Sequence, residues 1–247
     1  MEKVYLILGA SSDLGCALIR KIIQTEEVEN LTVIAHYHSS DAILDDICYE
    51  FSTFKIIKLK ADLSDLEETK WLINEIYKRS LHPTHIINFS ACEYRFSRLS
   101  EINVQRLNID MTIQVYSFAL ICKAFIPVMT ERRYGKIVAI LSSSIIGAPP
   151  KNTIEYSTVK YALYGLMRGL ASDYGDMGIN INSISPGMIE TKFINKIGRK
   201  IKEFTADKNP KHRNLQVNDV IPALLFLLSD ESEFMNGTNI NLSGFPG

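Results

Sequence analysis

The 247-residue sequence has no charge excess: 27 Lys and Arg stand against 28 Asp and Glu, a formal net charge of −1. Nucleic-acid and membrane-surface partners select for surplus positive charge, so neither is expected. A long apolar run is also missing. The longest, ALLFLL at 223–228, falls far short of the roughly 20 residues that span a bilayer. The N-terminal MEKVYLILGA lacks the apolar length and cleavage site of a secretory signal. Cysteine is sparse: Cys16, Cys48, Cys92 and Cys122 lie far apart, with no CxxC and no zinc-type Cys/His spacing. Free thiols in a reducing cytoplasm follow. His36 and His38 alternate on one strand, and His82 and His85 flank Pro83. Neither pair has a third ligand in view, so no metal is expected.

No internal repeat, low-complexity tract or Pro/Gly-rich linker breaks the chain, and 46% of its residues are hydrophobic. One domain over 1–247 is expected. Short β-branched runs at 4–8, 31–37, 54–60, 84–90, 135–141, 179–182 and 238–242 read as seven strands. Helical spacing of apolar residues marks stretches near 14–25, 41–52, 65–79, 100–130, 154–175 and 217–229. Alternation of the two, with strands apolar almost throughout, predicts a doubly wound three-layer αβα fold on a mostly parallel sheet.

In such a fold, ligands bind at the carboxyl ends of the strands. The first strand runs into LGASSDLG, Leu8 to Gly15. Gly9 permits a sharp turn, Gly15 permits close packing of the first helix, and Ser11 and Ser12 offer hydroxyls to a phosphate. The helix N-terminus behind them supplies positive potential. Asp13 stands where such loops usually carry glycine; it is expected to cap the first helix, its carboxylate turned to backbone N–H groups. KADLSD at 60–65 closes the third strand with Asp62, whose carboxylate is placed either to accept from an adenine amino group or to cap the next helix.

Tyr156 and Lys160 stand four residues apart in EYSTVKYALYG, on one face of a helix. A free tyrosine titrates near ~10, and a nearby cation lowers that value toward a usable acid/base. Upstream, a strand ends in Ser142–Ser143–Ser144, whose hydroxyls suit polarisation of a carbonyl.

Taken in order, these features resemble the short-chain dehydrogenase/reductase family end to end, in particular its 3-oxoacyl-carrier-protein reductase branch. The order is the glycine loop, Asp62–Leu63, Asn88 with Ser90–Ala91, the serine cluster, Tyr156-x3-Lys160, SPGMIET at 185–191 and FLLSDESEFMNGTNINLSG near the C-terminus. The resemblance implies a Rossmann-type fold and a nicotinamide dinucleotide cradled from Gly9 through Leu14 to Gly15. It implies Tyr156 as proton donor and acceptor, Lys160 lowering its pKa and binding ribose, and a serine orienting the carbonyl. Pro186, Gly187, Ile189 and Thr191 would line the nicotinamide. The serine is Ser142 by the strand count, 14 residues before Tyr156, or Ser143 by the family's usual 13; Ser142 is preferred. The family's helix asparagine aligns with Gln114, which would carry a water relay from Lys160, with Asn108 an outside candidate. The Asn-Asn-Ala-Gly stretch is reduced to NFSA, and Leu8 replaces a common threonine.

The second strand ends AHYHSS, with Tyr37 where NAD-preferring members place a carboxylate and His38, Ser39 and Ser40 following. NADP(H) is therefore expected over NAD(H). Residues 188–214, where the family places its substrate-covering segment, hold eight Lys/Arg and three acids, and Arg95 and Arg98 extend that rim. An anionic substrate such as an acyl thioester is expected, together with a homo-oligomer formed through the long helices. A non-catalytic nucleotide sensor on the same fold is the alternative.

Overall fold

The computed structural model describes residues 2–245. Seven strands form one sheet: β1 (Lys3–Leu8), β2 (Leu31–Tyr37), β3 (Lys55–Lys60), β4 (His85–Asn88), β5 (Gly135–Ile140), β6 (Ile179–Pro186) and β7 (Asn239–Leu242). Their order is β3-β2-β1-β4-β5-β6-β7. The expected mostly parallel sheet is parallel at all six described pairings. The crossovers run through α1 (Asp13–Thr25), α2 (Ala42–Glu50), α3 (Leu66–Lys78), α4 (Val104–Met111), α5 (Ser117–Arg132), α6 (Ile154–Tyr174), α7 (Arg199–Lys208) and α8 (Val217–Leu228). The order reverses between β1 and β4, which opens a crevice at the carboxyl ends of those strands.

Alternate residues of each strand feed two cores. Leu6, Leu8 and Ile86 meet Phe118, Phe125 and Leu163 on one face of the sheet. Ile7, Val33 and Ile87 meet Ile19, Leu44 and Leu224 on the other. Each fully buried aliphatic or phenyl side chain contributes about 1.5–3 kcal/mol. The apolar run at 223–228 is explained here, since α8 buries Leu224, Leu227 and Leu228.

Two expectations need correction. The helix over 100–130 begins at Val104 and runs to Arg132 without a break, through one wide π turn at Thr112–Tyr116. That helix is long and apolar enough, by length and composition, to cross a membrane, although polar residues interrupt its apolar runs. Its apolar face is taken up by the core instead, with Phe118, Ile121 and Phe125 fully buried. The sixth strand continues four residues past Asn182 to Pro186, because Ser183–Pro186 pair with β7. Residues 188–214 carry their own structure, a short turn at Lys192–Ile194 and helix α7.

Candidate active site

The loop between β1 and α1 is held by its own backbone. Gly9 has φ +72°, a left-handed conformation that side chains resist, and a Cβ there would come within 3.2 Å of the Phe89 carbonyl carbon. At Gly15 a Cβ would lie 2.6 Å from the Ala10 carbonyl oxygen. Ser12 caps α1, its Oγ accepting from the Gly15 N–H at 3.1 Å. The Asp13 and Leu14 amides, in the first turn of α1, have no intrahelical acceptor and remain available to an anion.

His36, set aside above as one of two alternating strand histidines, fastens this loop. Its Nδ1 accepts from the Gly9 N–H at 3.2 Å, so its Nε2–H donates to the Ala61 carbonyl at 3.0 Å. The Ala10 N–H donates to the His36 carbonyl at 2.8 Å. Burial pushes the imidazole pKa down to about 4, which keeps the accepting nitrogen free of a proton.

Asp13 does not cap α1. Its Oδ2 accepts from the Lys192 N–H at 2.7 Å, joining the glycine loop to residues 188–214. Ser12 already fills the capping position, and Asp13, one residue into the helix, projects outward. A second tie on the far side pairs Lys196 with Glu93 at 2.9 Å.

At the end of β2, Tyr37 is half-buried and His38 and Ser39 are exposed. The carboxylate of Asp41, four residues beyond Tyr37, is engaged by Lys58 at 2.8 Å. Asp62 uses Oδ1 to accept from the Ser64 N–H at 2.8 Å, and its Oδ2 lies 3.5 Å from His38 Nε2. Asp65, not Asp62, caps α3, accepting from the Glu67 N–H at 2.8 Å. Leu63 is buried beside the sheet.

Asn88, at the tip of β4, is buried. Its Oδ1 accepts from the Ser90 N–H at 2.9 Å and its Nδ2 reaches the Gln114 carbonyl at 3.5 Å. Ser90 Oγ is buried without a partner, and Ala91 is exposed at the mouth. Gln114 lies in the π turn, 2% exposed, and its Oε1 has no hydrogen-bond partner. Widened helical turns of this kind recur at functional sites. Asn108 is exposed and out of contention.

The Ser142 hydroxyl faces the Tyr156 phenol and accepts from the Ser144 N–H at 3.1 Å. Ser143 lies in the following turn, so the geometry brings Ser142 and not Ser143 to the phenol. Lys160 Nζ donates to the Ile140 carbonyl at 3.0 Å and sits 5.8 Å from the centre of the Tyr156 ring. Burial pushes the phenol pKa up to about 12, against the hydrogen bond from Ser142, which lowers it. The same burial pushes Lys160 down to about 8. Desolvation disfavours the charged form of each group and is the largest cause of both shifts. Tyr94, which the sequence did not single out, packs edge-on against Tyr156 with centroids 4.8 Å apart.

Pro186 ends β6. Gly187 leaves room for Leu215, whose Cδ1 would be 3.3 Å from an added Cβ. Ile189 bridges Leu215 through the Met188 carbonyl and the Glu190 N–H, at 2.9 and 2.8 Å. Its own amide group therefore points the other way, and Thr191 follows at the start of the next turn.

A family model described as enoyl-(acyl carrier protein) reductase matches residues 19–244. The 3-oxoacyl-[acyl-carrier-protein] reductase FabG of Thermotoga maritima is 26% identical, over 98% of this chain and 96% of that protein. Among solved structures, a gluconate 5-dehydrogenase from Burkholderia cenocepacia in complex with NADP and tartrate superposes with a TM-score of 0.86 at 20% identity, over 99% of this chain and 95% of that one. A 4-hydroxyisoleucine dehydrogenase complexed with NADH superposes with a TM-score of 0.87 at 23% identity, over 98% of both chains. The parallel seven-stranded sheet, the glycine loop against its carboxyl edge and the match over 19–244 lead to one conclusion: this chain belongs to the short-chain dehydrogenase/reductase family and is an oxidoreductase of that family.

Proposed function

We propose that the protein is an NADPH-dependent carbonyl reductase, running in reverse as a secondary-alcohol dehydrogenase, that takes an anionic ketone. A 3-oxoacyl thioester, the substrate class named for the Thermotoga relative, is the first class to test. The observation that carries this reading is the convergence of Ser142, Tyr156 and Lys160 at the carboxyl edge of β5.

The cradle fits a dinucleotide: Gly15, where a side chain would collide with backbone, Gly9 in a left-handed turn, helix-end amides free for a pyrophosphate, and no carboxylate at Tyr37 to repel a 2′-phosphate. The cofactor, when bound, supplies or takes up the hydride. Ser142 donates a hydrogen bond to the carbonyl oxygen and polarises it. Tyr156, protonated at neutral pH because burial holds its pKa near 12, gives its proton to the same oxygen. Lys160, still mostly charged at pH 7 with a pKa of about 8, stabilises the phenolate left behind. Lys192, Lys200, Lys208 and Lys211 are exposed on the covering segment and make no ion pair among the described residues, which suits capture of an anion.

Exposed Val104, Ile109 and Tyr116 on the long helix, with Ile154 and Tyr161 on α6, suit association of identical subunits. Four free thiols suit a reducing cytoplasm. Fluorescence titration with NADPH and NADH tests the first step, and the reading fails if neither nucleotide binds below millimolar concentration. Where NADPH binds, Tyr156→Phe lowers kcat on a 3-oxoacyl substrate by 10²–10⁴, as positioned acid catalysis contributes, and leaves cofactor affinity within about twofold. Residual activity within about tenfold of wild type refutes Tyr156 as the proton donor.

A further inference from the structure

We infer that Glu155 is a positioning residue for the reaction: its buried carboxylate ties the first turn of α6 to the amino end of α4 and so fixes the Tyr156 phenol against Ser142. The inference rests on the reading of Tyr156 as proton donor.

Tyr156 is the third residue of α6 (Ile154–Tyr174). The first amides of a helix have no intrahelical acceptor, and helix ends fray unless something outside them holds the turn. A capping side chain commonly does this. Thr153 stands at the cap position of α6 but makes no side-chain bond to the helix backbone. Its hydroxyl donates to the Pro150 carbonyl at 2.7 Å and lies 2.9 Å from the Ser157 hydroxyl.

Glu155 supplies the missing hold. It is only 4% exposed. Its Oε1 accepts from the Asn103 N–H at 2.7 Å, and its Oε2 accepts from the Arg106 guanidinium at 2.6 Å. Both donors belong to the amino end of α4. Asn103 caps that helix, its side chain accepting from the Arg106 N–H at 2.9 Å. The carboxylate therefore lies near the positive ends of two helices. The anchor is firm, because α4 runs without a break into α5, which buries Phe118 and Phe125 in the core.

The other members of the site do not depend on this turn. Lys160, one turn deeper in α6, is held by the Ile140 carbonyl at 3.0 Å. Ser142 follows β5 and is fixed through the Ser144 N–H at 3.1 Å. The position of Tyr156 relative to both is what the first turn of α6 sets. One more tie reaches that turn through main chain: the Ser97 N–H donates to the Asn152 carbonyl at 2.7 Å, which seats the loop whose Tyr94 packs on Tyr156. A buried ion pair adds little net stability, since desolvating both charges offsets their attraction, but removing one partner leaves a charge that the surroundings must move to solvate. Placement is thus the property most sensitive to Glu155.

The test is a double-mutant cycle between Glu155→Ala and Ser142→Ala, with kcat measured well below the melting midpoint of each variant. Glu155→Ala is expected to lower kcat by about thirtyfold, as a displacement of about 1 Å can cost about 10²-fold, with ketone KM and NADPH affinity within about threefold. Glu155→Gln, which keeps an acceptor for the Asn103 N–H and gives up the charge facing Arg106, is expected to lose about fivefold. Ser142→Ala is expected to cost at least about fivefold less in the Glu155→Ala background than in wild type, because a displaced phenol no longer works with that hydroxyl. Costs within about twofold of each other in the two backgrounds overturn the proposal, since a residue that only supports the fold leaves the two substitutions additive. So does kcat of Glu155→Ala within about twofold of wild type. If Glu155→Ala does not fold, the cycle is run on Glu155→Gln, with equal costs again overturning the proposal. A further readout needs no turnover: amide hydrogen exchange followed by mass spectrometry over residues 155–162. Glu155→Gln is expected to speed exchange there at least about threefold while the strands keep wild-type rates; unchanged exchange overturns the proposal. If wild type reduces no ketone, the functional reading fails on its own test, and the exchange measurement still decides whether Glu155 holds the turn that carries Tyr156.

Discussion

The two walls of the cleft are held by different forces. On the side of the glycine loop, residues Gly9 to Gly15 are fixed by main-chain hydrogen bonds, a neutral buried histidine, a left-handed turn at Gly9 and a position at Gly15 with no room for a Cβ. On the substrate side, residues 188–214 are mostly exposed. Among their ties to the opposite rim are the Asp13–Lys192 hydrogen bond and the Glu93–Lys196 pair. Steric exclusion and buried hydrogen bonds are insensitive to salt, whereas exposed ion pairs are worth at most about 1 kcal/mol and are screened. The cofactor wall is therefore expected to be rigid and intolerant of substitution, and the substrate wall adjustable.

The largest effect belongs to the rigid wall. Gly15→Val, which forces a branched side chain onto the Ala10 carbonyl, weakens NADPH binding at least a hundredfold, about 2.7 kcal/mol, by calorimetric titration. Next is the pH dependence of reduction. Lys160 has its pKa lowered to about 8, so it loses its charge as pH rises through that value, and kcat declines above it by about tenfold per unit. A pH–rate profile flat to pH 10 would remove Lys160 from the mechanism.

The buried imidazole of His36 gives the third. Its folded pKa, about 4, is below the unfolded value of about 6.5, so the unfolded chain binds more protons between the two. Stability is complete above pH 6.5 and falls with decreasing pH, by about 1.4 kcal/mol per unit for each such group. His85, lowered by burial to about 3, adds a slope of the same sign. Urea melts at pH 7 and pH 5 measure the sum, and His36→Phe is expected to remove about half of it.

Smaller effects belong to the adjustable wall. Asp13→Ala releases Lys192, raising the ketone KM about threefold and speeding tryptic cleavage within 192–200, with NADPH affinity within about twofold; loss of one charge-assisted hydrogen bond at an exposed site supports no more. The smallest is a charge effect. Lys200→Glu with Lys208→Glu raises the KM of an anionic substrate two- to threefold at low salt, and that difference disappears near 0.5 M salt.

Periodicity made the layers, the strand count and the two cores legible in the sequence. The strands were apolar on both faces and the helices on one, and that pattern has few packings. Gly9, Gly15, Tyr156 and Lys160 were legible because each depends on local geometry: a left-handed turn, a close approach, one helical turn of spacing. Asp13 was misread because its acceptor role depends on Lys192, 179 residues away. Tyr94 was not singled out, since nothing local distinguishes it from a loop aromatic. Gln114 was placed by resemblance, and its unpartnered oxygen became visible only with the π turn in view.

The amino-acid sequence by itself determined the alternation of strand and helix, the glycine turn and the Tyr156–Lys160 spacing, because hydrophobic period and backbone freedom act over a few residues. Tertiary structure alone decided which serine meets the phenol and which way the Tyr156 and Lys160 pKa values move. Burial sets those outcomes, and burial is a property of everything packed around a residue.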